Sequence, residues 1–145
     1  MKLTTKSKFA VTAVIDIAMC SKDSNLPISL LSISQRHSIS LTYLEQLFGK
    51  LRKNGIVKSY KGPNGGYLLA LDCSVITISS IIKAVEDDID ARACHGSESC
   101  HNNQKCLTHD LWEDLTVYMY SYLDNVTVSN VLEKHLLKPI KFSNL

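Results

Sequence analysis

The run Gly62-Pro63-Asn64-Gly65-Gly66 constrains this chain more than any other stretch. Proline fixes its own φ, and glycine reaches backbone conformations closed to other residues, so the chain reverses here. Residues 56–60 before it and 67–71 after it carry Ile56, Val57, Tyr60, Tyr67, Leu68 and Leu69, a β-prone pair around a turn. A hairpin is therefore expected. Upstream, Leu44, Leu47, Phe48 and Leu51 form an apolar stripe at helical spacing within 41–54, a helix ended by the stop signal Asn54-Gly55. His37-Ser38-Ile39-Ser40 separates it from a shorter helix over 28–36 with Leu30, Leu31 and Ile33. Two helices joined by so short a break have helix-turn-helix spacing. A hairpin directly after the second helix makes a winged helix.

Charge points the same way. Residues 1–67 hold ten Lys/Arg against three Asp/Glu, and residues 68–145 hold six against eleven, so a net charge of +2 conceals halves of +7 and −5. A basic amino-terminal half suits a polyanion, nucleic acid above all. In the second helix Thr42, Tyr43, Gln46, Lys50 and Lys53 share a face away from the apolar stripe. Gln reads base edges, Thr and Tyr reach bases or phosphates, and Lys neutralises phosphate. Lys58 and Lys61 flank the hairpin tip, placed to meet the DNA backbone or a minor groove. Lys6 and Lys8 sit in the first turn of a helix over 4–20, where cations oppose the helix dipole unless a phosphate docks there.

The remaining chain reads as a short helix to about residue 85, an acidic irregular stretch over 86–105, a long helix over 107–123, a last short helix and a tail from 139. The whole is mainly α with a small β-hairpin wing: a winged-helix DNA-binding domain over 1–85, a ligand-bearing loop over 86–106, a dimerisation helix and C-terminal helix over 107–138, and a tail over 139–145. The long helix carries Leu107, Leu111, Leu115, Tyr118, Met119 and Tyr122 at spacings of three and four, which suits a contact with a second copy. No apolar run approaches the length of a membrane span, and the start lacks the pattern of a secretory signal. A cytoplasmic protein with no membrane partner is expected. No nucleotide loop, nucleophile–base set or acid–base carboxylate pair is present, so an enzyme is not expected.

Five cysteines in such a chain argue against a disulfide framework. Cys20 and Cys73 stand among apolar neighbours, where a buried, unreactive thiol is expected. Cys94, Cys100 and Cys106 are spaced C-x5-C-x5-C, and His109 follows three residues on, at the start of the long helix. The intervening loops hold Gly, Ser and Asn, which permit tight turns, and each easily folds back on a centre a few ångströms across. Residues three apart lie on one helical face, so Cys106 and His109 point at one metal. Three thiolates and an imidazole suit zinc or an iron–sulfur cluster. Structural zinc sites favour C-x2–4-C pairs, which are missing here, and the wide loops fit a larger cluster better. His95 and His101 each follow a cysteine directly and would point away from its metal.

The motifs Met1-Lys2-Leu3-Thr4, Tyr43-Leu44-Glu45-Gln46-Leu47-Phe48, Leu51-Arg52-Lys53-Asn54-Gly55, Gly62-Pro63-x-Gly65-Gly66-Tyr67-Leu68-Leu69 and Cys106-Leu107-Thr108-His109 resemble those of the bacterial iron–sulfur cluster regulators of the IscR type, from residue 1 to about 130. The resemblance implies a homodimeric winged-helix transcription factor holding a 2Fe–2S cluster on Cys94, Cys100, Cys106 and His109. It implies a cluster donor in the iron–sulfur assembly machinery, and mainly repression of cluster-biogenesis genes through pseudo-palindromic double-stranded DNA operators. It places DNA contacts on Ser40, Thr42, Tyr43, Gln46 and the wing, Gly62 included. Related regulators sense nitric oxide or redox state through their cluster, or hold zinc, and these are the alternatives. Lys61 stands where the family usually has Arg, and a lysine lacks the bidentate fork.

Glu45 has two readings. Thr42-x-x-Glu45 fits a capping box, but Ser40 competes as the cap, with Ile39 and Leu44 as a hydrophobic staple. The other reading is repulsion of DNA except where a base donates to the carboxylate, as cytosine N4 does. The resemblance favours the second, placing here a glutamate that makes one class of operator depend on the cluster.

Overall fold

The computed structural model describes residues 3–86, 92, 97–99 and 101–137. Among these, six helices and one two-stranded antiparallel sheet follow in the order α1 (Thr5–Ser21), α2 (Leu30–His37), α3 (Leu41–Lys53), β1 (Val57–Tyr60), β2 (Gly66–Leu69), α4 (Ile78–Val85), α5 (His109–Asp124) and α6 (Val128–Leu137). The expected winged helix-turn-helix is present: α2 and α3 are its helices and β1–β2 its wing.

Five helices start on hydroxyl caps. The side chains of Thr4, Ser29, Ser40, Thr77 and Thr127 accept from the backbone N–H of Ser7, Ser32, Tyr43, Ser80 and Asn130. Between α2 and α3 the chain turns through Ser38, at φ 54° and ψ 42°, while Ser34 Oγ donates to the Ile39 carbonyl at 2.6 Å. The expected helix over 28–36 starts two residues late, because Ile28 exchanges two 2.9 Å backbone hydrogen bonds with Tyr67 of β2. The strand register runs Val57↔Leu69 to Tyr60↔Gly66. Two glycines are required by close approach: a Cβ on Gly65 would lie 2.2 Å from the Tyr60 carbonyl oxygen, and one on Gly66 2.3 Å from that of Ile28.

A single core surrounds α1, whose Ala10, Ala13, Val14 and Ile17 are fully buried beside Ile33, Leu44, Phe48, Leu51 and Ile81. α1 packs against α3, α4, α6 and β2. Small residues at positions 10 and 13 let those neighbours approach it. Helix α4 is buried over most of its surface, with Lys83 as its one exposed residue, which fits a helix covered by α1, α3 and α5. Backbone bonds from Ile78 to Val126 and from Val128 to Ile76 hold the start of α4 to the start of α6.

Among the described residues, Asp16 places a carboxylate inside the fold. The Asp16 carboxylate is buried on α1 and receives Arg36 Nε at 3.0 and 3.2 Å and Nη2 at 3.0 Å, with His37 Nε2 at 3.2 Å. Cys20 Sγ donates to it at 3.1 Å. Burial alone would raise this carboxyl, but the hydrogen bonds from Arg36 and Cys20 and the charges of Arg36 and His37 outweigh it and hold the group below its ordinary value. Cys20 and Cys73 are half-buried rather than sequestered. The Cys20 thiol is nonetheless pushed up by its partial burial and by Asp16, which disfavours the thiolate.

Candidate nucleic-acid interface and metal centre

Helix α3 is anchored by Leu44, Leu47, Phe48 and Leu51, all buried, so its opposite side faces solvent. Thr42, Glu45, Gln46, Gly49, Lys50 and Lys53 are exposed there. Tyr43 lies at the edge, half-buried, its ring 5.9 Å from that of Phe9 in an edge-on contact. Ser40 is the cap, its Oγ accepting from Tyr43 N at 3.4 Å, with Ile39 and Leu44 buried beneath it. The Thr42–Glu45 capping box does not form, and the Glu45 carboxylate stays on the exposed face.

The wing stands beside this face. Phe48 of α3 meets Tyr67 of β2 edge-on at 4.8 Å, joining the two elements through the core. Lys58, Lys61 and Gly62 are exposed along the wing and its tip, where Gly62 adopts φ +109° and Gly65 N closes the turn on the Gly62 carbonyl at 3.0 Å. Lys50 points elsewhere: its Nζ lies 3.4 Å from the Val85 carbonyl of α4.

Of the four expected metal ligands, Cys94 and Cys100 lie outside the described residues. Cys106 is half-buried and His109 is buried. The long helix starts at His109 rather than 107, so Cys106 precedes it and meets His109 through a tight turn, His109 N donating to the Cys106 carbonyl at 3.2 Å. Thr108 is the N-cap residue of this helix but makes no side-chain cap bond; its Oγ1 accepts from Trp112 Nε1 at 3.1 Å instead. A soft thiol and an imidazole thus share one turn of chain, a donor chemistry that fits zinc or an iron–sulfur cluster.

Harder donors stand next to them. One ligand atom each of His109, Asp110 and Glu113 lies within 4.8 Å of the others. Both carboxylates already have cations, Lys105 at 3.5 Å from Asp110 and Arg92 at 3.2 Å from Glu113. Glu98 lies 3.2 Å from the same ammonium, and it and Asp110 favour the charged form of Lys105. His101 pairs with Gln104 through two backbone hydrogen bonds in a tight loop with Asn102 and Asn103 at positive φ.

Two features escape sequence reasoning. Arg36 and Asp16 are twenty residues apart with no local signal joining them. Asn54 reads only as a helix stop, yet its side chain reaches α4, with Nδ2 3.5 Å from the Ala84 carbonyl.

A sequence profile described as Rrf2, iron-dependent transcriptional regulator, matches residues 3–134. The chain is 48% identical over 132 residues to the HTH-type transcriptional regulator IscR of Yersinia pestis, covering 91% of this chain and 79% of that protein. It is 49% identical over 138 residues to a putative HTH-type transcriptional regulator of Haemophilus influenzae, covering 95% and 91%. Among solved structures, T. potens IscR superposes with a TM-score of 0.76 at 31% identity, covering 100% of this chain and 94% of the other. CymR, the global cysteine regulator of B. subtilis, does so with a TM-score of 0.76 at 31% identity, covering 90% and 95%.

Proposed function

Since the chain belongs to the Rrf2 family of iron-dependent transcriptional regulators, and is a DNA-binding regulator rather than an enzyme, we propose that it senses iron–sulfur cluster supply through a 2Fe–2S cluster. Cys94, Cys100, Cys106 and His109 are its ligands. Three thiolates give strong, deprotonated donors, and a single imidazole leaves one more labile corner. A sensor needs such a corner, because it must lose its cluster when supply fails. The assembly machinery supplies the cluster, and the loaded protein mainly represses the genes of that machinery. The protein works in the cytoplasm.

The observation that carries the DNA half is the α3 face. A helix anchored on one side by four buried residues presents Thr42, Glu45 and Gln46 on the other. Gln46 reads a base edge in the major groove, with Ser40, Thr42 and Tyr43 at the entrance and Lys58, Lys61 and Gly62 on the backbone or the minor groove. The units are 1–85 for DNA, 86–106 for the cluster, 107–138 for dimerisation and a tail over 139–145. Two copies joined through α5 require a pseudo-palindromic operator with half-sites about one helical turn apart.

Anaerobic purification tests the cluster directly. A coloured protein with about two iron and two sulfide per chain supports this reading. Zinc without colour assigns a structural metal instead, and a cluster lost only on exposure to nitric oxide assigns the related sensor. His109→Ala is expected to bleach faster than the wild type; equal cluster stability would exclude His109 as a ligand.

A further inference from the structure

The end of α4 leaves its last carbonyls without intrahelical partners, as every helix end does. The chain turns extended at Glu86, with φ −126° and ψ 153°, and the last helical bond runs from Glu86 N to the Ile82 carbonyl. The next acceptors are met from another element. Asn54 Nδ2 lies 3.5 Å from the Ala84 carbonyl, and Lys50 Nζ lies 3.4 Å from that of Val85. The two donors stand four residues apart in α3 and its C-cap, and Asn54 Nδ2 also holds the Lys50 carbonyl at 2.8 Å. A cation at the negative end of a helix dipole is favourable in addition to the hydrogen bond. Beneath them α3 packs on α4, and Leu47, Leu51, Ile81 and Val85 of the two helices are all buried. Beside them, Glu86 Oε1 is buried with no hydrogen-bond partner among the described residues. The junction is thus clamped on its backbone and unsatisfied at one side chain.

We infer that Lys50 and Asn54 are positioning residues for operator binding: they tie the recognition helix to the end of α4, where the chain enters the ligand-bearing segment, so that the state of that segment sets the orientation of α3. The regulatory half rests on the proposed cluster; the clamp itself does not. Residue 87 follows directly on the junction, so a displacement of the chain at that point is felt first at Glu86 and Val85. Through Lys50 and Asn54 the displacement reaches the helix that carries Gln46 and Glu45. This role takes the Lys50 ammonium away from DNA phosphate and onto the Val85 carbonyl.

Lys50→Met removes the donor and keeps most of the stem; Lys50→Arg restores a cationic donor. In DNA-free protein, Lys50→Met is expected to speed amide exchange at Val85 and Glu86 about fivefold, as for the loss of one hydrogen bond, with Lys50→Arg near the wild type. Operator affinity falls by a similar factor while its salt slope stays unchanged. Lys58→Met serves as the control, its slope falling by about one unit if Lys58 meets phosphate. Unchanged exchange together with a lower slope for Lys50→Met would make it an ordinary phosphate contact and overturn the clamp. In anaerobically loaded protein, Lys50→Met is expected to keep its visible absorbance per chain and to lose the affinity difference between loaded and cluster-free forms. An undiminished difference overturns the regulatory half. A wild-type protein with no visible chromophore overturns the cluster reading, and the exchange and slope measurements still decide the clamp.

Discussion

At the residue scale the clearest assignments come from what a side chain is not needed for. Ser40 caps α3 and Ile39 and Leu44 staple it, so Glu45 has no structural task in the described contacts. Glu45→Ala is therefore expected to leave the melting temperature within about 2 °C, since exposed substitutions fall within ~0.5 kcal/mol. On the cluster-sensing reading it lets cluster-free protein bind operators that otherwise need the cluster, which a mobility shift with and without cluster measures. Stability loss with unchanged operator choice would return Glu45 to a structural role. Gly49 is a second case. A Cβ there would meet nothing within 4 Å, and a mid-helix glycine costs about 1 kcal/mol relative to alanine. Gly49→Ala is expected to raise stability by about that amount in urea unfolding. No contact within the fold explains the glycine; the exposed face it shares with Gln46 is the one proposed to enter the groove.

At the element scale the angle between α1 and α2 depends on one buried carboxylate. Asp16 holds Arg36 and touches His37 in the last turn before the Ser38 corner, so it fixes the end of α2 from which α3 departs. Its folded-state pKa lies below its ordinary value of 3.8. The unfolded chain therefore binds this proton more readily, and the stability it contributes is present above that value and lost as pH falls through and below it. Asp16→Ala removes that dependence. It is expected to cost about 2 kcal/mol at neutral pH, the scale of hydrogen bonds to a charged group, and to flatten the acid limb of stability against pH. Urea unfolding at pH 3, 4 and 7 on both proteins checks it. An equal acid slope in the variant would assign the acid sensitivity to other carboxylates.

At the scale of the whole molecule, α5 leaves more than half of its residues exposed among the described part of the chain. It runs about 24 Å, and Leu111, Val117, Tyr118 and Tyr122 are 58%, 61%, 75% and 63% exposed. Leu107, just before it, is fully exposed. Residues 111, 118 and 122 make a stripe of large apolar side chains at helical spacing, a feature that marks an interaction surface. On the proposed dimer, Tyr118→Glu places a charge within the buried contact. It is expected to convert the protein to a monomer by sedimentation and to weaken operator binding at least tenfold, since one half-site is then bound without the other. A dimer of unchanged stability would move the interface to another face.

Much of this was legible in the chain because its signals are local. Helix 41–54 with its stripe, the Asn54-Gly55 stop, the hairpin turn and the cap hydroxyls each act within a few residues, and α3, β1, β2 and α4 fall where periodicity and turn chemistry place them. The cysteine and histidine spacing likewise names a donor set, though two of its members lie outside the described residues. What tertiary structure decided was every choice between local alternatives. Ile28 fits a helix but pairs with Tyr67; Ser40 rather than Thr42 became the cap; α5 began at His109, with the Thr108 hydroxyl turned to Trp112. The Asp16–Arg36 fork and the reach of Lys50 and Asn54 to α4 join residues twenty to thirty-five apart. No local pattern encodes such pairs, because the energy of each contact exists only once the core has brought the two elements together.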